Sequence, residues 1–177
     1  MFAPVSILAI AATVASAVVI RAPADTSVTI LNNCSYQVDP AFFPVVTENG
    51  ASTGGFPLAA GASQAVTLPA NYSGRIWGRT GCDSAGQCTT GTCPGGESCI
   101  DPAPTGPTLA QITLDGYAGY DYFNPTSGDN FNIPLTIIPG SGCSTAPVSC
   151  TDANGDGNGC GATNSCPTGT TYTIQFC

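Results

Sequence analysis

Ten cysteines limit what this chain of 177 residues can fold into more than any other feature of its sequence. The chain has no histidine, which excludes a Cys/His zinc site, and the paired CxxC knuckles of four-cysteine zinc sites are absent. Disulfide bonds therefore explain the even number of cysteines, and such bonds persist in proteins that leave the cell. Closeness in sequence favours the small rings Cys82–Cys88 and Cys93–Cys99, whereas spacing alone leaves the partners of the other six cysteines open.

The charge balance excludes several classes of partner. The chain contains three arginines, no lysine and eleven acidic residues, which gives a formal net charge of −8 at pH 7. A strongly negative protein is repelled by nucleic acid and by anionic membrane surfaces, so we expect neither as a partner. No motif in the sequence indicates a cofactor, and we expect a monomer.

The N-terminus has the sequence pattern of an export signal. Residues 5–14 form an apolar run, and the Ala-Ser-Ala of residues 15–17 supplies a signal-peptidase site, so we predict a signal peptide over residues 1–17 with trimming as late as Arg21. A membrane anchor over residues 2–20 is the alternative, but it would place the cysteines in a reducing compartment. We therefore expect a secreted protein, extracellular or associated with a cell wall, whose mature domain covers residues 26–177.

Short runs of alternating β-forming residues dominate the mature chain. Turn residues rich in Gly and Pro separate them, and no fixed-period repeat or long amphipathic helix interrupts the pattern. Many short strands with turns between them are typical of an all-β sandwich or barrel. The clearest predicted strands cover residues 27–31, 65–68, 74–80, 110–114 and 170–176.

Six segments, in order along the chain, form a recognisable set of motifs: LNNC at 31–34, GRIWGRTGC at 74–82, CTTGTC at 88–93, TLAQITL at 108–114, DNFNIPL at 129–135 and YTIQFC at 172–177. Together they resemble the thaumatin-like protein family, also called pathogenesis-related family 5, and the resemblance covers almost the whole mature chain. Thr92 stands where the family prefers Asp, and the chain has fewer cysteines than full-length members, as in the short type that lacks the second domain.

The resemblance implies a fold and a set of bridges. Family members form a disulfide-rich, flattened β-sandwich of two sheets, which agrees with the alternation of the predicted strands. Carried over by position, the resemblance implies the pairs Cys34–Cys177, Cys82–Cys88, Cys93–Cys99, Cys143–Cys166 and Cys150–Cys160.

The resemblance also implies a polysaccharide-binding groove lined by Arg75, Gln111, Asn124 and Asp129. The family carries carboxyls where this chain has the amides of Gln111 and Asn124, and glycoside hydrolysis normally needs two carboxyls. Asp129 and Asp121 are the catalytic candidates that remain. Asp121 lies three residues before Asn124, and this odd spacing would place its side chain on the other face of a strand.

We therefore predict a protein that binds β-1,3-glucan or a related cell-wall polysaccharide, with an antifungal or wall-modifying role as in many members of the family. Two alternatives remain open: a weak endo-β-1,3-glucanase, which is a glycoside hydrolase, and a secreted structural or protein-interaction module. Tyr117, Tyr120 and Tyr122 lie among Gly and Asp residues, so we expect them to be exposed and available to stack on sugar rings.

Two local motifs concern modification and metal binding. Asn71-Tyr72-Ser73 is a sequon for N-glycosylation, which predicts a glycan at Asn71. Asp152, Asn154 and Asp156 have the spacing of the first half of a calcium loop, but the twelfth position is Thr163 rather than the bidentate Glu that such loops need. We therefore expect no metal at this loop.

The calcium expectation is tested by thermal unfolding. Millimolar Ca²⁺ should leave Tm unchanged, because the half-loop lacks its bidentate ligand. A site filled at a hundred times its Kd would stabilise the fold by about 2.7 kcal/mol, which calorimetry detects readily. A rise in Tm that EDTA reverses would show that the loop binds calcium.

Overall fold

The computed structural model describes residues 23–102, 106–128 and 130–177. The predicted signal peptide over residues 1–17 and the predicted groove residue Asp129 lie outside these residues. Within the described part of the chain, no helix has the length and apolar character needed to cross a membrane.

Eleven strands account for nearly all of the regular structure, and a single 3₁₀ turn, Tyr117–Gly119, is the helical element of the described segments. The five predicted strands are confirmed as β1, β4, β5, β6 and β11, with ends shifted by up to two residues. The strands are β1 Thr26–Asn32, β2 Asp39–Glu48, β3 Ala51–Gly55, β4 Ser63–Leu68, β5 Ser73–Arg79, β6 Leu109–Thr113, β7 Tyr120–Thr126, β8 Leu135–Pro139, β9 Val148–Cys150, β10 Asn164–Pro167 and β11 Tyr172–Phe176.

The strands follow one hydrogen-bonded path in the order β10-β7-β6-β5-β2-β4-β1-β11-β8-β9, with β3 paired to β2. Strand β2 joins the two halves of the path, because residues 39–43 pair with β5 whereas Thr47 pairs with Thr67 of β4. The path curls at this corner, so that β6 and β7 pack against β8 and β9 from the other half. The two layers of the predicted sandwich are therefore halves of one curled sheet.

The main core lies between the two layers and follows from alternation along each strand. In β6, Ala110 and Ile112 are buried between the layers, whereas Gln111 and Thr113 face outward and are half-buried. Phe123 of β7 and Tyr172 of β11 meet edge to face across the core, with ring centroids 5.3 Å apart. This alternation leaves the outer face of β5, β6 and β7 free of the main core.

Residues 80–102, which we call the cover segment, lie over part of this outer face. Trp77 and Leu109 point outward, yet they are buried in a second small core with Cys93 and Cys99. The Trp77 indole N–H donates to the carbonyl of Gly91 at 2.8 Å. Half of the outer face is thus covered, and the other half remains open.

Five disulfides account for all ten cysteines, in the pairing that the resemblance implies. Cys34–Cys177 joins the segment after β1 to the residue after β11, two strands that also pair in parallel. Cys143–Cys166 links the segment after β8 to β10 in the opposite layer. The remaining three bridges close rings within single loops.

The span of each bridge predicts its contribution to stability. Cys34–Cys177 closes a separation of 143 residues and Cys82–Cys88 one of 6 residues. In the chain-entropy model, replacing both cysteines of the long bridge by Ser should cost about 5 kcal/mol, and replacing both of the short bridge about 2 kcal/mol. Urea unfolding of the two double variants measures the difference. Equal losses would show that loop closure does not govern the stability of this fold.

Candidate functional site

A row of polar side chains crosses the open half of the outer face. Backbone pairing places Arg75 of β5 opposite Gln111 of β6, and Gln111 opposite Asn124 of β7. Neighbouring strands lie about 4.8 Å apart, so the row spans about 10 Å from Arg75 to Asn124. Three of the four residues that the resemblance assigned to a groove therefore lie side by side on one face.

The row forms the floor of a groove of about 400 Å³. A second row runs parallel to the first, where Ser73 pairs with Thr113 and Thr113 with Tyr122. The Ser73 and Thr113 hydroxyls are 3.0 Å apart and share a hydrogen bond. Thr163, directly before β10, also lines the groove. Amides, hydroxyls and one guanidinium thus form a polar surface that is well supplied with hydrogen-bonding groups.

The three predicted stacking tyrosines are accessible to different degrees. Tyr122 is half-buried and lines the groove, and Tyr120 points to the same face of β7 with 42% of its surface exposed. Tyr117 lies in the 3₁₀ turn before β7 and is 86% exposed, and its carbonyl accepts a hydrogen bond from the Tyr122 hydroxyl at 3.2 Å. The structure therefore places one tyrosine in the groove and two beyond it.

Asp121, a catalytic candidate in the sequence, lies on the opposite face of β7 from Asn124 and is 1% exposed. One carboxylate oxygen accepts the Asp115 backbone N–H at 2.9 Å, and the other accepts the Tyr172 hydroxyl at 2.9 Å. Burial raises the pKa of Asp121 above its ordinary value, although these two hydrogen bonds act in the opposite direction. Its position in the interior removes Asp121 from the groove.

The predicted glycosylation site lies in the turn between β4 and β5. Asn71 is exposed and adopts a positive φ of 58°, a conformation that Asn tolerates better than most residues. The Tyr72 N–H donates to the Pro69 carbonyl at 3.0 Å to close the turn, and the Asp115 carboxylate accepts the Asn71 N–H at 3.0 Å. Ser73 of the sequon lines the groove, so a glycan at Asn71 would be attached near one end of it.

The half calcium loop is a tight turn closed by Cys150–Cys160. One oxygen of Asp152 accepts the backbone N–H groups of Asn154 at 2.8 Å and Asp156 at 3.2 Å. Both hydrogen bonds stabilise the ionised form and lower the pKa of Asp152. The turn thus uses this carboxylate to cap its own backbone.

The burial of Arg79 was not among the predictions from the sequence. Its guanidinium is fully buried, donates to the carbonyls of Asp39, Gly96 and Glu97, and forms an ion pair with the Glu97 carboxylate. Burial raises the pKa of Glu97, and the charge of Arg79 opposes this shift. A signal was present, because Arg79 follows the buried Trp77 with the same alternation, but Arg is rarely fully buried.

Sequence similarity assigns this chain to a known family. Residues 32–164 match the sequence model of the Thaumatin family. The chain is 36% identical over 133 residues to thaumatin-like protein 1a from Malus domestica, covering 72% of this chain and 54% of that protein. It is 38% identical over 123 residues to pathogenesis-related protein 5 from Arabidopsis thaliana, covering 66% of this chain and 50% of that protein.

Among solved structures, the thaumatin-like xylanase inhibitor TLXI is similar with a TM-score of 0.63 and 31% identity, covering 85% of this chain and 98% of that chain. The chain therefore belongs to the thaumatin family, and it has the all-β, disulfide-rich fold that its sequence predicts. It spans about half the length of the two plant relatives and nearly the full length of the xylanase inhibitor.

The shifted pKa of Asp121 predicts how stability depends on pH. Because the pKa is higher in the folded than in the unfolded chain, the stabilising contribution of Asp121 is present below the ordinary carboxyl pKa and is lost as pH rises through the raised value. Acidification from pH 7 toward about pH 4 should therefore stabilise the native protein relative to Asp121→Asn.

Chemical unfolding across this pH range, with the exposed Asp101→Asn variant as the matched control, measures the effect. The difference in unfolding free energy between the native protein and Asp121→Asn should change with pH, and the difference for Asp101→Asn should change less. Parallel curves for the native protein and Asp121→Asn would show that burial does not raise this pKa.

Proposed function

We propose that this protein is a secreted, defence-related member of the thaumatin family that binds β-1,3-glucan or a related cell-wall polysaccharide without hydrolysing it. The row of Arg75, Gln111 and Asn124 across three adjacent strands is the observation that carries the proposal. Five disulfides support an extracellular site of action, because such bonds persist in oxidising compartments.

The chemistry of the groove suits a sugar polymer. Amides and hydroxyls both donate and accept hydrogen bonds, which matches the hydroxyl groups of a glycan. Tyr122 adds an aromatic ring beside Asn124, and Tyr120 extends this face along β7. The groove thus offers hydrogen bonds and an aromatic ring to the sugars of a glycan.

The same groove is poorly suited to hydrolysis. A glycoside hydrolase normally places two carboxyls on either side of the scissile bond, one as acid and one as nucleophile or base. None of the described residues that line the groove carries a carboxyl group, and Asp121 lies in the core. Asp129 would supply only one carboxyl, and the amide of Gln111 is too weak an acid and too weak a base to serve as a general acid or base near neutral pH.

A second candidate function is the binding and inhibition of an extracellular glycoside hydrolase. The similarity to the xylanase inhibitor favours this second function, because the present chain matches 98% of the length of that inhibitor at 31% sequence identity. The 86% exposed Tyr117 supports it as well, since tyrosines are enriched where proteins meet. If this function is correct, the partner is a protein and the groove takes no part in binding it.

Sedimentation with insoluble β-1,3-glucan tests the proposed function. The native protein should sediment with the glucan and release little reducing sugar, and raised salt should change binding little because a neutral glucan offers no charge to screen. Gln111→Ala should weaken retention by about 1–2 kcal/mol through lost hydrogen bonds. The exposed Gln87→Ala in the cover segment is the matched control and should bind like the native protein.

Two other results would contradict the proposal. Strong release of sugar by the native protein would establish the glucanase alternative, and a further increase in Gln111→Glu would then identify the groove as its site. Failure to bind any wall polysaccharide, together with inhibition of a xylanase or glucanase, would establish the inhibitor function instead.

A further inference from the structure

Arg75 places a positive charge in the groove without a partner in the described residues. The chain contains three arginines and no lysine. Two of them lie in the described segments. Arg79 is fully buried and forms an ion pair with Glu97, and within residues 23–102, 106–128 and 130–177 this is the one ion pair observed. Arg75 is half-buried on the outer face of β5 and lines the groove. Its guanidinium is therefore the positive charge that this surface offers to a ligand.

The residues beside Arg75 on the neighbouring strands carry no charge. The paired residue on one side is Gln111, with Asn124 beyond it, and on the other side Phe43 of β2 pairs with Arg75. A neutral sugar placed over the guanidinium would accept hydrogen bonds from it through hydroxyl oxygens but would leave its charge unbalanced. A carboxylate would instead form a charge-assisted, bidentate pair with Arg75.

We infer that the groove prefers a polysaccharide of mainly neutral sugars that carries isolated uronic acid residues, with the uronate carboxylate bound by Arg75. This inference rests on the proposed function, because it names the class of polysaccharide that the same groove selects. The amides of Gln111 and Asn124 would hydrogen-bond hydroxyls of the sugars next to the uronate.

The charge of the whole protein explains why the uronic acids must be isolated. A net charge of −8 repels a polymer with a carboxylate on every sugar, such as polygalacturonate. One guanidinium can also compensate only one carboxylate at a time. A sparsely substituted polymer satisfies both conditions, since it supplies a single anion to Arg75 and neutral sugars to the rest of the groove.

Binding to two forms of one polymer tests this inference. Glucuronoxylan and the same polymer after chemical reduction of its carboxyl groups to alcohols differ only at those groups, which change from a charged carboxylate to a neutral hydroxymethyl. The native disulfide-bonded protein should bind the untreated polymer about tenfold more tightly at low salt, and 0.5 M NaCl should reduce the ratio. In Arg75→Gln the ratio of the two affinities should fall to about one, and Arg75→Lys should retain part of it.

The remaining outcomes separate the inference from the proposed function. Equal affinity for both polymers would overturn the preference for uronate and leave polysaccharide binding intact, whereas binding to neither polymer nor to β-1,3-glucan would overturn the proposed function itself. Tighter binding to polygalacturonate would overturn the requirement for isolated charges. A uronate preference that appears only in Asp129→Asn would show that Asp129 already balances the charge of Arg75, and it would overturn the inference.

Discussion

The arrangement of the outer face of the sheet depends on the contacts of the buried Arg79 guanidinium. It joins the start of β2 to residues 96 and 97 of the cover segment through backbone carbonyls and the Glu97 carboxylate. A cation removed from water needs such a full set of partners, and loss of one partner would leave an uncompensated charge. The cover segment is thereby held over Trp77, and the groove begins where the cover ends.

Strand alternation gives β5, β6 and β7 two different faces, one in the core and one in the groove. Ile112 and Phe123 pack between the layers, while Gln111 and Asn124, their sequence neighbours, form the floor of the groove. A site built on paired strands is held rigidly, because register and core packing fix each side chain. The groove is therefore preformed for a ligand.

Membership of the thaumatin family accounts for the fold but leaves the chemistry of the groove to individual residues. Function depends on the groups that a fold presents rather than on the fold itself. Here Gln111 and Asn124 supply hydrogen bonds in place of acid–base chemistry, and Arg75 supplies a charge. Under the proposed function, these three residues would bind a glycan without cleaving it.

The sequence by itself determined the all-β class and five of the eleven strands, because alternation and cysteine content are local or compositional properties. Its resemblance to a family further placed Arg75, Gln111 and Asn124 together, which the strand register agrees with. Alternation predicted that Asp121 lies on the opposite face from Asn124, but only the tertiary structure decided that this face is the core. It also decided that β2 turns the corner between layers and that Arg79 is buried. Each of these depends on contacts between residues distant in sequence, which no local pattern encodes.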